Sequence, residues 1–388
     1  MHEVSEFTRR GLFAAGALAA LALGATRALG QQAQGTPLAG DFPLPDPPGE
    51  RLRWAVVGLG NLTVGELIPG FIDSQHSRMT AFVSGSPAKQ KDLGARYGVS
   101  RFYDYQNFDQ IAHDPEIDCV YIVLPVALHA EYTIRALKAG KHVLCEKPMA
   151  STSAECEAMI AAAKAANRQL GVAYRIHFEP TNIRCKQLID SGEIGDIRYI
   201  SCDHGFNADL SWPPHVWRLQ KALAGGGSMF DIGIYGLNTS LMMLNEQMPV
   251  ELSAVYSYPR DDKRFREVEG GMEYRLRMPT GISVQGSSSY CWSPYLSQQR
   301  YMGAKGSIFM KPATTYDANS ISVEGNGPVH EVGAGHPLTQ FQGEIDAFSL
   351  AAKANTPHKT PGEMDLRDIR LIEAMYKSAD NGGEIVKL

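Results

Sequence analysis

The stretch that most constrains this chain is residues 53–63, of sequence RWAVVGLGNLT. Its apolar run is typical of a strand buried on both faces, and it breaks at glycines before an amphipathic segment begins. Strand, glycine turn and helix form the first unit of a dinucleotide-binding fold, in which Gly58 permits the turn and Gly60 admits a pyrophosphate. A helix opening near Asn61 directs free N–H groups at that phosphate. Because Thr63 occupies the third glycine position, the motif alone leaves an ordinary strand–helix turn open.

Length and composition favour a globular protein of two domains over a nucleic-acid-binding protein. The chain has 388 residues, is 44% hydrophobic and carries a net charge of −5, so it can bury a full core and presents no basic footprint for nucleic acid. The six cysteines, at positions 119, 145, 156, 185, 202 and 291, form no Cys-x-x-Cys pair. We therefore expect neither a disulfide framework nor a metal site.

The N-terminus has the pattern of an export signal. A twin-arginine pair at Arg9 and Arg10 precedes an apolar stretch at 13–23 and a small-x-small site at 28–30. This pattern predicts a signal peptide over 1–30, export to the periplasm and no membrane span in the mature chain. An amphipathic cap and a membrane anchor are the alternatives. Residues 31–50 are rich in proline, which predicts an arm or a linker.

Residues 51–173 are predicted to form the first domain. A strand over 78–84 ends at Ser84 without the acid that would bind a 2′-hydroxyl, and Lys89 follows. A hydroxyl and a cation suit a 2′-phosphate, so the pair favours NADP over NAD. A surface serine and lysine would give the same pattern.

Further strands at 118–124, 142–145 and 170–174 alternate with helices, the first of them spanning 128–139 from near His129. This alternation predicts a doubly wound parallel sheet of Rossmann type. Ligands bind at the carboxyl ends of such strands, where Glu146 and Lys147 fall.

Residues 174–388 are predicted to form an α+β domain with a large open, mainly antiparallel sheet. Its strands are predicted at 197–206, 250–258, 268–278, 282–290, 307–310 and 321–323, with pocket-wall loops at 207–215 and 290–295. A helix at 228–244 has a polar face. Helices at 338–352 and 365–379 are expected to return to the first domain. Such a sheet often pairs between subunits, so we expect a homodimer or homotetramer.

Several motifs together resemble the Gfo/Idh/MocA oxidoreductases over residues 50–385, and most closely the glucose–fructose oxidoreductase branch. The motifs are CEKPMA at 145–150, AGKHV at 139–143, WRL at 217–219, AGGGS at 224–228 and DIGIYGLN at 231–238. The export signal also resembles that branch.

The resemblance implies roles for five residues. Lys147 and Tyr235 would flank the reacting sugar carbon, with Tyr235 as proton donor and acceptor and Lys147 lowering its pKa. Asp231 would orient substrate hydroxyls, and Arg175 and His177 would line the same pocket.

The motifs and the resemblance together assign a larger set to NADP. It comprises Gly58, Leu59, Gly60, Asn61, Leu62, Thr63, Ser84, Lys89, Tyr105, Leu124, His129, Glu146, Lys147, Arg175, Trp217, Arg218 and Tyr316. Leu62 and Thr63 depart from the usual phosphate turn.

The implied function is sugar oxidation by NADP in the periplasm. An aldose would become an aldonolactone, and a second sugar would become an alditol on the same bound cofactor in a ping-pong cycle, as with glucose to gluconolactone and fructose to sorbitol. An aldose–aldose oxidoreductase and an aldose dehydrogenase with exchangeable NADP are the alternatives, followed by a dinucleotide-binding sensor without catalysis.

Overall fold

The computed structural model describes residues 45–325, 330–336 and 339–388. The predicted signal at 1–30 and the predicted arm up to residue 44 lie outside these residues. Pro45–Leu388 forms one unit, built on two sheets. In this described part of the chain, no helix is both long and apolar enough to cross a membrane.

A six-stranded parallel sheet forms the N-terminal half of the unit. Its strands are β1 Leu52–Val57, β2 Ser77–Val83, β3 Arg101–Tyr103, β4 Cys119–Ile122, β5 His142–Glu146 and β6 Leu170–Ala173. Their order is β3-β2-β1-β4-β5-β6, with parallel pairing throughout. The sequence predicted this doubly wound sheet but not β3, which is three residues long. The strand order reverses between β1 and β4, where ligands bind in such sheets.

Five helices follow these strands, and local sequence sets several of their ends. They are α1 Ile68–Asp73, α2 Pro87–Tyr97, α3 His129–Lys138, α4 Ser153–Ala166 and α5 Pro180–Asp190. A π-helical segment, Thr63–Leu67, leads into α1, and the helical run starts at Asn61 as predicted. Helix α4 begins at a capping box in which Thr152 and Glu155 satisfy each other's backbone N–H groups.

The second sheet has nine strands and is mixed. They are β7 Ile197–Asn207, β8 Glu251–Tyr256, β9 Gly271–Arg277, β10 Ser283–Ser289, β11 Cys291–Gly303, β12 Ser307–Met310, β13 Ile321–Glu324, β14 His330–Glu331 and β15 Val386–Lys387. Their order is β14-β13-β12-β11-β7-β10-β9-β8-β15. The pairing of β10 with β7 is parallel, and the other pairings are antiparallel. The prediction of a mainly antiparallel sheet is confirmed.

One predicted loop is wrong. Residues 290–295 were expected to form a pocket-wall loop, but β11 begins at Cys291 and pairs with β7 along most of its length. Proline cannot donate a ladder hydrogen bond, so Pro294 made the segment look unlike a strand. The register of β11 is irregular between Cys291 and Leu296, and this irregularity accommodates the proline.

The remaining helices lie between strands of the nine-stranded sheet along the chain. They are α6 Pro213–Val216, α7 Lys221–Ala224, α8 Ile234–Met243, α9 Thr339–Ala354 and α10 Gly362–Asp380. Helix α8 is buried along its whole length and packs on β7 and β10, whereas α9 packs on α1 and β2. Helix α10 contacts α4, β6 and β8, so it touches elements of both sheets.

The glycine turn after β1 yields a prediction about stability. Gly58 has φ +97°, and a Cβ added there would lie 2.1 Å from the carbonyl oxygen of Val123. At Gly60 an added Cβ would meet no atom within 4 Å. We expect Gly58→Ala to lower the free energy of unfolding by about 2 kcal/mol or more, and Gly60→Ala to change it by less than about 0.5 kcal/mol. Urea denaturation measures both, and equal losses would contradict this account.

Candidate active site

The phosphate turn presents free backbone donors at the end of β1. The first hydrogen bond of the helical run is donated by Val64 N to Gly60 O at 3.1 Å, so the N–H groups just before it have no intrahelical acceptor. Thr63, in the third glycine position, is buried and donates its hydroxyl to Gly58 O at 2.6 Å. This bond ties the helix to the turn. Leu59 is buried, Leu62 is half-buried and Asn61 is exposed at the opening.

The predicted 2′-phosphate corner comes together beside this turn. Ser84 follows β2 and is buried, and Lys89 on α2 donates its ammonium to Leu59 O at 3.3 Å. A Cβ added to Gly85 would lie 3.3 Å from the ring of Tyr105, which places Tyr105 at the same corner. Ser84, Lys89 and Tyr105 therefore share one end of the turn.

Residues Glu146 to Met149, at the end of β5, are held from both C-terminal helices. The Tyr121 hydroxyl lies 3.0 Å from Glu146 Oε1 and 3.1 Å from Oε2 of Glu344, on α9. Two residues after Lys147, the backbone N–H of Met149 donates to Asp365 Oδ2 on α10 at 2.7 Å. These contacts fix the backbone on both sides of Lys147.

His129 supports the same segment from α3. Its Nδ1 lies 2.8 Å from Pro148 O and its Nε2 lies 2.8 Å from Leu124 O. Burial lowers the pKa of His129, although both carbonyl contacts oppose that shift. Because both ring nitrogens contact backbone carbonyl groups, His129 supports the sheet edge. It holds the backbone at Pro148 and at Leu124.

Lys147 and Tyr235 meet, although they come from different halves of the chain. The Lys147 ammonium lies 4.5 Å from the centre of the Tyr235 ring and donates to the backbone carbonyl of Asp231 at 2.6 Å. It is also 3.8 Å from Asp231 Oδ1. Asp231 lies in a π-helical segment, Met229–Gly233, and π turns often occur at functional sites.

The cation at the Tyr235 hydroxyl is Arg175, not Lys147. Arg175 Nε donates to Tyr235 Oη at 3.3 Å, and its guanidinium lies 4.7 Å from the ring centre. Burial raises the pKa of Tyr235 to about 12, and Arg175 partly offsets that shift. The expectation that Lys147 lowers this pKa is therefore not met, because its ammonium faces the ring and not the oxygen.

Arg175 is itself held in place by three further partners. It donates to Gln340 Oε1 at 2.6 Å and to Thr314 O at 2.7 Å, and it lies 4.5 Å from the Tyr316 ring centre. Tyr316 thus stands beside Tyr235 across one guanidinium. Gln340 was not predicted as a site residue, because it lies 165 positions from Arg175 in the sequence.

Asp231 is an ionised carboxylate. Its Oδ2 accepts from Arg218 Nε at 3.0 Å and from Tyr290 Oη at 3.0 Å. Burial opposes ionisation, but Arg218 and Lys147 outweigh it and hold the pKa of Asp231 below its usual value. The Arg218 guanidinium also lies 4.7 Å from the centre of the Trp217 ring. Tyr290 was not among the predicted site residues.

Comparison with known proteins shows which family the chain belongs to. The model of the oxidoreductase family with an NAD-binding Rossmann fold matches residues 52–174, and that of the GFO/IDH/MocA C-terminal domain matches residues 183–309. The solved aldose–aldose oxidoreductase of Caulobacter crescentus is 40% identical, with a TM-score of 0.83 over 87% of this chain and 100% of its own. The chain belongs to the Gfo/Idh/MocA oxidoreductase family.

Two curated members of the family are similar along most of their length. An NADP-dependent D-xylose 1-dehydrogenase of Haloarcula marismortui is 29% identical over 336 residues, which is 85% of this chain and 91% of its own. A 1,5-anhydro-D-fructose reductase of Ensifer adhaerens is 26% identical over 338 residues, 85% of this chain and 97% of its own. Both are named for reactions on sugars.

His177 lies in a different network from the other predicted pocket residue, Arg175. Its Nε2 is 2.7 Å from Asn238 Oδ1, and Asn238 donates to Asp368 Oδ2 at 2.7 Å. Burial lowers the pKa of His177 to about 3, so the ring is neutral. The structure thus bonds this side chain to Asn238 on α8.

Residues 45–325, 330–336 and 339–388 contain no candidate metal-binding site. No group of three or more histidine, cysteine, aspartate or glutamate side chains there could hold an ion. All six cysteines have free thiols, and five of them are buried.

The corner at Ser84 gives a prediction about cofactor choice. In this family member, Ser84→Asp would place a carboxylate where a 2′-phosphate is expected, and a carboxylate there accepts a 2′-hydroxyl. We expect NADPH to bind at least about tenfold more weakly and NADH to bind more tightly, as measured by nucleotide fluorescence titration. Ser84→Ala, which adds no charge, is the matched control. Unchanged NADPH affinity in Ser84→Asp would refute the assignment.

Proposed function

We propose that this protein is an NADP-dependent sugar oxidoreductase that oxidises an aldose to its aldonolactone and reduces a second sugar on the same bound cofactor. The observation that carries the proposal is the contact between Lys147 and Tyr235 at the carboxyl edge of the parallel sheet. The glycine turn opens at the same edge. The named relatives act on sugars, and one is named for aldose–aldose oxidoreduction.

The residues at the sheet edge fit NADP. Gly60 leaves open space in front of unbonded N–H groups, which suits a pyrophosphate. Ser84 and Lys89 supply a hydroxyl and a cation at the 2′ corner. Bound NADP⁺ supplies the hydride acceptor that sugar oxidation needs.

The chain's own residues supply the proton chemistry. Tyr235, as the phenolate, takes the proton of the anomeric hydroxyl and becomes a neutral phenol while the hydride leaves for NADP⁺. The Arg175 N–H at its oxygen stabilises the phenolate before this transfer. Lys147 holds the sugar oxygen beside the ring of Tyr235. The ionised Asp231 accepts hydrogen bonds from neighbouring sugar hydroxyls, and its pairing with Arg218 keeps it in place.

The predicted export to the periplasm favours a closed cycle. A chain exported through the predicted twin-arginine signal would work in the periplasm, where no supply of NADP(H) is evident. Retention of the cofactor and its reoxidation by a second sugar would then permit turnover. The 40% identity with an aldose–aldose oxidoreductase favours an aldose as the acceptor, and a ketose acceptor such as fructose, giving sorbitol, is the alternative. The xylose dehydrogenase favours a simpler dehydrogenase with exchangeable NADP.

We also propose a homodimer or homotetramer that pairs through the nine-stranded sheet. Burial alternates along β9, with Glu273, Arg275 and Arg277 exposed. One face of the sheet therefore packs on α8 while the other carries polar side chains that are available to a second subunit.

Replacing Tyr235 by Phe tests the catalytic assignment. The variant keeps the ring that contacts Lys147 and Arg175 but loses the proton carrier. We expect kcat to fall by about 100-fold or more and the Kd for NADPH to stay within about twofold. Steady-state kinetics with an aldose and a binding titration give the two values. A kcat within threefold of wild type would exclude this role for Tyr235.

Incubation with paired sugars tests the closed cycle. We expect the purified protein to carry nucleotide and to convert one sugar to an aldonate and the other to an alditol in equal amounts, with no cofactor added. Product analysis by chromatography measures the ratio. Turnover that requires added NADP, with reduced cofactor released, would instead establish the simpler dehydrogenase.

A further inference from the structure

A buried polar cluster lies behind Lys147, and the mechanism above does not use it. It joins Glu344 on α9, Tyr121 on β4 and Glu146 at the end of β5. The Tyr121 hydroxyl oxygen is 3.1 Å from Glu344 Oε2 and 3.0 Å from Glu146 Oε1. Tyr121 and Glu344 are fully buried, and Glu146 is half-buried.

A count of hydrogens decides the state of this cluster. A tyrosine has one hydroxyl hydrogen, and an ionised carboxylate has none. If both glutamates were ionised, Tyr121 could satisfy one of them, and two negative charges would share a buried site. A second hydrogen is therefore needed, and it must come from a protonated carboxyl.

The proton belongs on Glu344. Glu146 lies close to the cations Lys147 and Arg175, which favour its ionised form although burial raises its pKa. Glu344 has weaker support, because its Oε1 is buried and has no hydrogen-bond partner among residues 45–325, 330–336 and 339–388. An uncompensated charge there would be costly. Burial and then Glu146 raise the pKa of Glu344 well above its usual value, against smaller opposing effects of Tyr121 and Arg175.

Other charged groups around α9 have different partners. Asp346, on the same helix, accepts from the backbone N–H groups of Gln75 and His76. Arg175 directs its guanidinium to Gln340 and to the carbonyl of Thr314. On the elements packed against α9, Glu66 lies in the π-helical segment and Asp73 ends α1, and neither is a cation that could stabilise a Glu344 carboxylate.

We propose that Glu344 is a protonated carboxylic acid that positions Glu146 through Tyr121, so that the ionised Glu146 faces the reacting end of the cleft beside Lys147. Glu344 donates to the tyrosine oxygen, and Tyr121 donates to Glu146 Oε1. This leaves Glu146 Oε2 as the carboxylate oxygen that does not contact Tyr121. The role of Glu146 in this inference rests on the proposed function, whereas the protonation of Glu344 does not rest on it.

The proton is tested without any substrate. In the unfolded chain Glu344 ionises above about pH 4.3, so the wild type must take up a proton when it folds at higher pH, and Glu344→Gln need not. The contribution of this proton to the wild-type free energy of unfolding is fully present below that pH and decreases as the pH rises. Urea denaturation gives the equilibrium constant for unfolding of each protein. We expect the wild-type constant divided by the E344Q constant to rise about tenfold per pH unit between pH 5.5 and 7.5. A ratio constant within threefold over this range would overturn the proposal.

The positioning role is tested by turnover at pH 7. Glu344→Gln keeps a donor for Tyr121, so kcat should remain within about threefold of wild type. Tyr121→Phe removes both hydrogen bonds, and kcat should fall by about tenfold or more while the KM for the sugar changes by less than about threefold. A Tyr121→Phe kcat equal to that of wild type would refute the link to Glu146. Failure of this proposal can be distinguished from failure of the proposed function. The pH dependence of the unfolding constants does not depend on whether Tyr235→Phe confirms the sugar chemistry.

Discussion

The site depends on how the backbone from Glu146 to Met149 is fixed, because this segment carries Lys147 to Tyr235. Three elements that are distant in sequence hold it. His129 contacts Pro148 O, Asp365 accepts from Met149 N, and Tyr121 lies against Glu146. With those contacts in place the Lys147 ammonium reaches both the Asp231 carbonyl and the Tyr235 ring. The C-terminal helices are therefore part of the site, although no reacting group comes from them.

Charge inside the site is arranged in paired groups. Asp231 is ionised against Arg218 and Lys147, and Arg175 stabilises the oxygen of Tyr235. Behind them, a second tyrosine joins two acids, since Tyr174 lies 2.5 Å from Asp365 Oδ1 and 2.8 Å from Asp368 Oδ2. Burial and Asp368 raise the pKa of Asp365 to about 7. Each C-terminal helix thus brings an acid with a raised pKa to a tyrosine. Each cluster contacts the Glu146–Met149 segment, one through Tyr121 at Glu146 and the other through Asp365 at Met149.

Much of the fold could be predicted from local patterns. The apolar strands β1, β4 and β5 are short runs bounded by glycine, proline or charge, and a strand of that kind has few alternatives. The same patterns placed Glu146 and Lys147 at the carboxyl edge, whereas Tyr235 was assigned through the family resemblance. They failed for β11, where proline and polar residues hide the strand, and for β3, which is too short to give a signal.

The rest of the site depends on contacts that sequence spacing does not encode. Gln340 and Tyr290 reach Arg175 and Asp231 from positions 165 and 59 residues away. The side on which His177 lies follows from its bond to Asn238, and the cation nearest the Tyr235 oxygen follows from side-chain packing. Neither fact has a local motif.

The most direct test of the account follows one hydrogen atom. An aldose deuterated at its anomeric carbon is mixed with the nucleotide-bound protein in a single turnover, and the nucleotide is released and analysed by mass spectrometry. The account predicts that the deuterium is found on the nicotinamide, with a slower transfer than for the unlabelled sugar. Recovery of all the deuterium in the sugar or in water would contradict it.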